Sequence, residues 1–116
     1  MTDLHPRTLA TFVRSVALLA MPADAQIAWL ESLGLGAPLY ADELALELES
    51  GVLLLPQFER AGWVTAEARR AVEALDAVLG EWSGSVHKDF WHVDSLRESP
   101  EWARVRELAS EALIKL

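Results

Sequence analysis

The stretch ADELALELESGVLLLPQ, from Ala41 to Gln57, decides whether this chain is purely helical. Its first three leucines alternate with acidic or small residues, as they do in a half-buried strand. Ser50-Gly51 would then turn the chain into a second strand. Leucine, glutamate and alanine are nevertheless good helix formers, and Val52 is the only β-branched residue in the stretch.

The helical alternative is favoured because no other part of the chain resembles a strand, and an isolated two-stranded hairpin is marginally stable in water. The helix would carry one apolar face, formed by Leu44, Leu48, Val52 and Leu55. Gly51 would weaken it by about 1 kcal/mol relative to alanine, and Pro56 would kink it or start a new turn. We therefore predict a bent or broken helical element over residues 41–61, with its acids facing out, and we retain two helices or a hairpin as alternatives.

Apolar residues recur at a spacing of three or four on both sides of this stretch, which indicates amphipathic helices. Pro6 suits the first turn of an N-terminal helix, and Pro22 ends that helix and opens the next. Thr65 is a good N-cap for a later helix, and Ser99-Pro100 begins the last one. The sequence therefore predicts an all-α protein, a compact bundle of five to six helices with short loops, as a single domain over residues 1–116.

Charge is distributed unevenly along the chain. The net charge is −8, and residues 15–59 contain seven acidic residues but no lysine, arginine or histidine. We expect these acids to form one continuous face that attracts a basic partner, and the negative charge argues against nucleic acid or an anionic membrane. The residues predicted to bind such a partner are Asp42, Glu43, Glu47, Glu49 and Trp91.

Several classes of protein are excluded or disfavoured by composition. Cysteine is absent, so disulfides, thiolate catalysis and thiolate metal sites are excluded. The chain has no apolar stretch long enough to span a membrane and no signal-peptide pattern, so we expect a cytoplasmic protein. The GLG at Gly34–Gly36 lacks the third glycine of a dinucleotide-binding loop and follows a helix rather than a strand. We therefore predict a protein that is not an enzyme and binds no cofactor.

The segment HKDFWH, residues 87–92, is the best candidate for a local site. Its histidines are five residues apart, about 140° around a helix, whereas zinc-binding helices place them four apart. A metal site is therefore disfavoured. A general base is disfavoured because the sequence marks neither an oriented partner nor a nucleophile for it. The chain has five tryptophans, and some of them could line a pocket between helices. The ligand-binding residues of this alternative are Trp82, His87, Phe90, Trp91, His92 and Trp102.

Two longer stretches are distinctive: ADELALELESGVLLLPQFERAGWVT and SPEWARVRELASEAL. Both resemble small, uncharacterised helical proteins of high-G+C Gram-positive bacteria, and the alanine- and leucine-rich composition agrees with that resemblance. The resemblance implies a helical fold and carries no activity. In size and acidity the chain is also similar to immunity proteins that neutralise cationic toxins.

Two functions are consistent with these patterns. The first is a non-enzymatic, acidic protein-interaction domain, such as an immunity or inhibitor protein, that docks a basic partner through its acidic face. A toxin is one candidate for that partner. The alternative is a small-molecule binding or sensing domain with an aromatic pocket between helices. The sequence leaves open whether the chain forms a homodimer.

Overall fold

The computed structural model describes residues 4–116, so residues 1–3 of the predicted domain lie outside the described part. Six α-helices follow one another, with a 3-10 turn at Ser85–His87 between the fourth and the fifth. They are α1 (Pro6–Ala20), α2 (Ala23–Ser32), α3 (Asp42–Arg60), α4 (Ala66–Glu81), α5 (Ser95–Glu98) and α6 (Pro100–Lys115). Residues 4–116 contain no β-strand, and Tyr40 and His92 form an isolated antiparallel bridge. The prediction of an all-α bundle of five to six helices is confirmed.

The deciding stretch forms one continuous helix, α3, so the hairpin and two-helix alternatives are wrong. Leu44, Leu48 and Leu55 are buried as predicted, whereas Val52 is only half-buried. Pro56 lies inside the helix without ending it. The leucine pattern of α3 therefore follows the helical period rather than the strand period, because one face of the helix packs against the core.

The helices begin where the sequence predicts because each capping side chain bonds to a backbone amide only two or three residues further along. Thr65 Oγ1 accepts a hydrogen bond from the Ala68 amide at 3.0 Å, and this bond caps α4. The Ser99 hydroxyl accepts from the Glu101 amide at 3.2 Å and caps α6. Pro6 begins α1, as predicted.

A continuous apolar core holds the helices together. Its largest fully buried side chains include Phe12, Leu30, Leu44, Phe58, Leu75 and Trp102. Helix α1 packs extensively against α3 and α6, and α4 packs extensively against α6. Helices α3 and α4 contact each other less extensively, which leaves a groove between them.

Two of the seven acids of residues 15–59 are neutralised by arginines from later in the chain. Arg97 Nε lies 2.8 Å from Asp24 Oδ1, and Arg69 Nε lies 2.5 Å from Glu59 Oε2. The expectation that the whole stretch presents uncompensated negative charge is therefore wrong for Asp24 and Glu59. None of the helices within residues 4–116 is both long and apolar enough to cross a membrane.

Candidate functional site

The groove between α3 and α4 has a volume of about 790 Å³. Helix α3 contributes one wall, formed by Asp42, Ala45, Leu46, Glu49, Val52 and Leu53. The other wall comes from α4 and the residues after it and includes Asp76, Leu79, Gly80, Ser83 and Lys88. Tyr40 and Trp91 also line the groove. Their two segments are joined by backbone hydrogen bonds, including one from the Ala41 amide to the Trp91 carbonyl at 2.7 Å.

Large apolar side chains in the groove are exposed to solvent. Leu46 is 50% exposed, Leu53 is 77% exposed, and Tyr40 is 48% exposed. Both leucines lie on a flank of α3 that is outside the buried core. These exposed side chains are available to contact a binding partner.

Carboxylates border the apolar surface on both walls. Asp42 and Glu49 are two helical turns apart on α3, and Asp76 lies on α4. Partial desolvation raises the pKa of Asp76, and the Glu49 carboxylate raises it further. Within residues 4–116, none of these three carboxylates forms an ion pair. The groove thus combines apolar side chains with an excess of negative charge, since three carboxylates and Lys88 line it.

The four predicted partner-binding acids of α3 do not form one continuous face. Asp42 and Glu49 line the α3–α4 groove, whereas Glu47 lines a smaller groove between α1 and α3, together with Arg7. Glu43 is about 40° from Glu47 around the helix axis, so it belongs to that second flank. The prediction of a single acidic face is therefore wrong, because successive residues of a helix turn by about 100° and these spacings divide the acids between two sides.

Trp91, the fifth predicted partner-binding residue, does lie in the groove. It is half-buried, and its indole Nε1 donates a hydrogen bond to the Trp82 carbonyl at 2.7 Å. This bond fixes the ring against the end of α4. Three of the five predicted partner-binding residues, Asp42, Glu49 and Trp91, are therefore brought together.

The aromatic residues predicted to line a ligand pocket stack on one another instead. The ring centroids of Trp82 and Phe90 are 4.9 Å apart, and those of Phe90 and Trp102 are 4.6 Å apart, with nearly parallel planes. Trp102 is fully buried, and its Nε1 donates to the Phe90 carbonyl at 2.8 Å. These rings fill the space between them, so the stack is part of the core.

The two histidines of the predicted ligand site contact different rings. The ring of His87 meets that of Trp82 edge-on, with ring centroids 4.9 Å apart. The ring of His92 meets that of Tyr40 edge-on, with ring centroids 6.2 Å apart. The His92 Nδ1 accepts a hydrogen bond from the Asp94 amide at 3.3 Å. Within the described residues, no group of three or more histidines or acids is placed to hold a metal ion.

Sequence reasoning missed Asp76, Gly80 and the exposed leucines as parts of one site. Leu46 and Leu53 were recognisable as a flank of α3, but their partner across the groove depends on tertiary packing. Asp76 is one of several acids on the polar side of α4, and nothing in its neighbourhood distinguishes it.

The chain matches no protein-family model, no curated protein and no solved structure. Any conclusion about its function therefore rests on the groove itself.

Proposed function

We propose that this chain is a non-enzymatic protein-interaction domain that binds a basic partner in the α3–α4 groove. The observation that supports it is the combination of exposed Leu46 and Leu53 with the carboxylates of Asp42, Glu49 and Asp76. Burying apolar surface stabilises a complex by about 25 cal/mol per Å², before the costs of association. The carboxylates favour cationic partners and speed their encounter.

An apolar centre with a charged border is the usual arrangement of a protein–protein interface. Small-molecule pockets instead enclose most of the ligand surface, whereas Leu53 projects into solvent at the groove surface. Three rings of the alternative aromatic pocket, those of Trp82, Phe90 and Trp102, stack on one another. A protein partner is therefore favoured over a metabolite.

More specifically, we propose that the chain is an immunity or inhibitor protein that binds a cationic toxin. The support for this is the small size of the chain, the net charge of −8 and the acidic border of the groove. Electrostatic attraction of this kind gives fast association, which suits an inhibitor. A cytoplasmic location stays a prediction from the sequence.

The proposal is tested by reversing two charges on one flank of α3 or on the other and comparing the binding of a basic peptide. The probe is a fluorescein-labelled peptide of about 18 residues, built from leucine, alanine and lysine and long enough to form a helix. One double variant reverses Asp42 and Glu49 to lysine, and the matched variant reverses Glu43 and Glu47 to lysine. Both variants change the net charge equally, and each places one lysine in the first turn of α3.

Fluorescence anisotropy should show that the groove variant binds the peptide about tenfold or more weakly than the original chain, since ion-pair losses at interfaces are commonly of that size. The flank variant should bind within about threefold of the original, because its two charges lie on the other flank of α3 and salt screens charges at a distance. Equal losses in both variants would show that total charge matters and that the groove does not.

A further inference from the structure

The α3 wall of the groove repeats with a period of seven residues. Its lining residues form three pairs that are each seven apart: Asp42 and Glu49, Ala45 and Val52, Leu46 and Leu53. Seven residues are almost two full turns, so each pair lies along one stripe of the helix. Stripes with spacings of three, four and seven are the surfaces through which helices pack on other helices.

The α4 wall has the same spacing. Its lining residues after Asp76 follow at three, four and seven positions along the sequence: Leu79, Gly80 and Ser83, the last just beyond the end of α4. The two walls therefore offer ridges between which the side chains of a third helix can insert.

Gly80 is the least expected residue of this wall. It is the second-last residue of α4, its φ is not in the left-handed region, and a Cβ atom there would meet nothing within 4 Å. Glycine is less favourable than alanine in a helix, so the packing of this chain gives no reason for glycine at this position. Because Gly80 has no side chain, the groove wall is open at this position and another backbone can approach closely.

We infer that the groove binds an amphipathic helix, with its backbone over Gly80, its apolar side chains against Leu46 and Leu53, and a lysine or arginine between Glu49 and Asp76. This inference rests on the proposed function and names the class of its partner. The α3 wall from Asp42 to Leu53 is about 17 Å long, which matches three turns of helix.

Charge complementarity supports a cation at that position. Partial desolvation and, after it, the Glu49 carboxylate raise the pKa of Asp76, so the two carboxylates repel each other when both are ionised. A basic side chain between them would relieve this repulsion and form charge-assisted hydrogen bonds. Lys88 also lines the groove, but the three carboxylates of Asp42, Glu49 and Asp76 outnumber it.

Three labelled peptides distinguish this inference from the proposed function. Each has about 18 residues, a length at which a designed helix forms. The first carries leucines on one helical face and lysines beside them. The second has the same composition in an order that scatters the leucines around the helix. The third keeps the first pattern but has glutamate in place of lysine. The first peptide should bind at least about tenfold more tightly than either of the others.

Each other result has a defined meaning. Equal binding of the first two peptides would overturn the helical inference and leave a groove for basic segments. Equal binding of the lysine and glutamate peptides would overturn the proposed function. Failure of the first peptide to bind would overturn both.

The variant Gly80→Leu tests whether the bound helix lies over Gly80 on the groove wall. Leucine is a good helix former and its Cβ would meet nothing within 4 Å here, so the variant should fold, which circular dichroism would verify. Its side chain should occupy the space over the groove wall and weaken binding of the first peptide about tenfold or more. Gly80→Ala is the matched control and should bind within about threefold of the original chain, a difference of under 1 kcal/mol. Unchanged binding by Gly80→Leu would contradict the placement of a helix over Gly80.

Discussion

Gly51 of α3 lies directly against the phenyl ring of Phe12 of α1, and a Cβ atom on Gly51 would come within 2.8 Å of Phe12 Cγ. The ring has little freedom to move away, because it also stacks on Phe58 at a centroid distance of 5.8 Å. Gly51 therefore allows α1 and α3 to pack closely, whereas Gly80 faces open space. Two helical glycines of one small protein thus have different physical roles.

We expect Gly51→Ala to lower the free energy of unfolding by about 1–3 kcal/mol, the usual cost of overpacking a core. Helix propensity alone predicts the opposite, a gain of about 1 kcal/mol. Urea denaturation followed by tryptophan fluorescence distinguishes the two. Gly80→Ala is the control and should stabilise the protein by up to about 1 kcal/mol. A comparable gain from Gly51→Ala would show that α1 and α3 do not approach closely.

Gln26 is a fully buried polar residue that joins α2 to the end of α1. Its Nε2 donates to the carbonyls of Leu18 and Leu19, at 3.1 Å each, and its Oε1 accepts from Arg106 at 3.4 Å. Gln26→Met keeps the length of the side chain but removes these bonds. We expect a loss of about 1–3 kcal/mol in unfolding free energy, the cost of leaving buried polar groups without partners.

The matched control for Gln26→Met is Gln57→Met, because Gln57 is only half-buried and its side chain makes no hydrogen bond within residues 4–116. Its unfolding free energy should change by less than about 0.5 kcal/mol. Chemical denaturation of both variants measures the difference. Equal effects at the two positions would mean that the Gln26 bonds contribute little.

The raised pKa of Asp76 predicts a pH-dependent cost to folding. The cause is partial desolvation first and the Glu49 carboxylate second, so the folded state favours the protonated carboxyl. Ionised Asp76 therefore opposes folding as the pH rises above the unfolded pKa of 3.8 and through the folded pKa. Asp76→Asn should raise stability at neutral pH, and this gain should disappear below about pH 4.

Thermal unfolding of Asp76→Asn across that pH range, paired with peptide binding, tests the role of Asp76. The variant should be more stable yet bind the basic peptide more weakly, as functional groups often oppose stability. Glu73→Gln is a control of opposite sign, because it removes an ion pair with Arg69 at 2.6 Å and should cost up to about 1 kcal/mol. A destabilised Asp76→Asn variant at neutral pH would contradict this account.

The helices were predictable from sequence because their signals are local. Proline and capping residues such as Pro6, Thr65 and Ser99 mark helix starts without reference to the rest of the chain. The period of the leucines in α3 agreed with helix propensity, and no strand partner competed. Gly51 was misjudged because its role depends on Phe12, which lies on another helix.

The site was only partly predictable because it depends on which helices become neighbours. Asp42, Glu49 and Trp91 were identified from charge and aromatic content, but Asp76 was not, since its relation to Glu49 exists only across the groove. The pairing of Asp24 with Arg97 likewise joins residues 73 positions apart. Such long-range pairs are set by packing rather than by local pattern.

The central claim is that a basic partner occupies the α3–α4 groove. The most direct test is a titration of the isotope-labelled chain with the lysine and leucine peptide, followed by amide chemical shifts in nuclear magnetic resonance spectra. We predict saturable shifts confined to residues 40–53 and 76–91, with Gly80 among the largest. Shifts centred instead on Glu47 and Arg7 in the α1–α3 groove, or on α6, would contradict the claim.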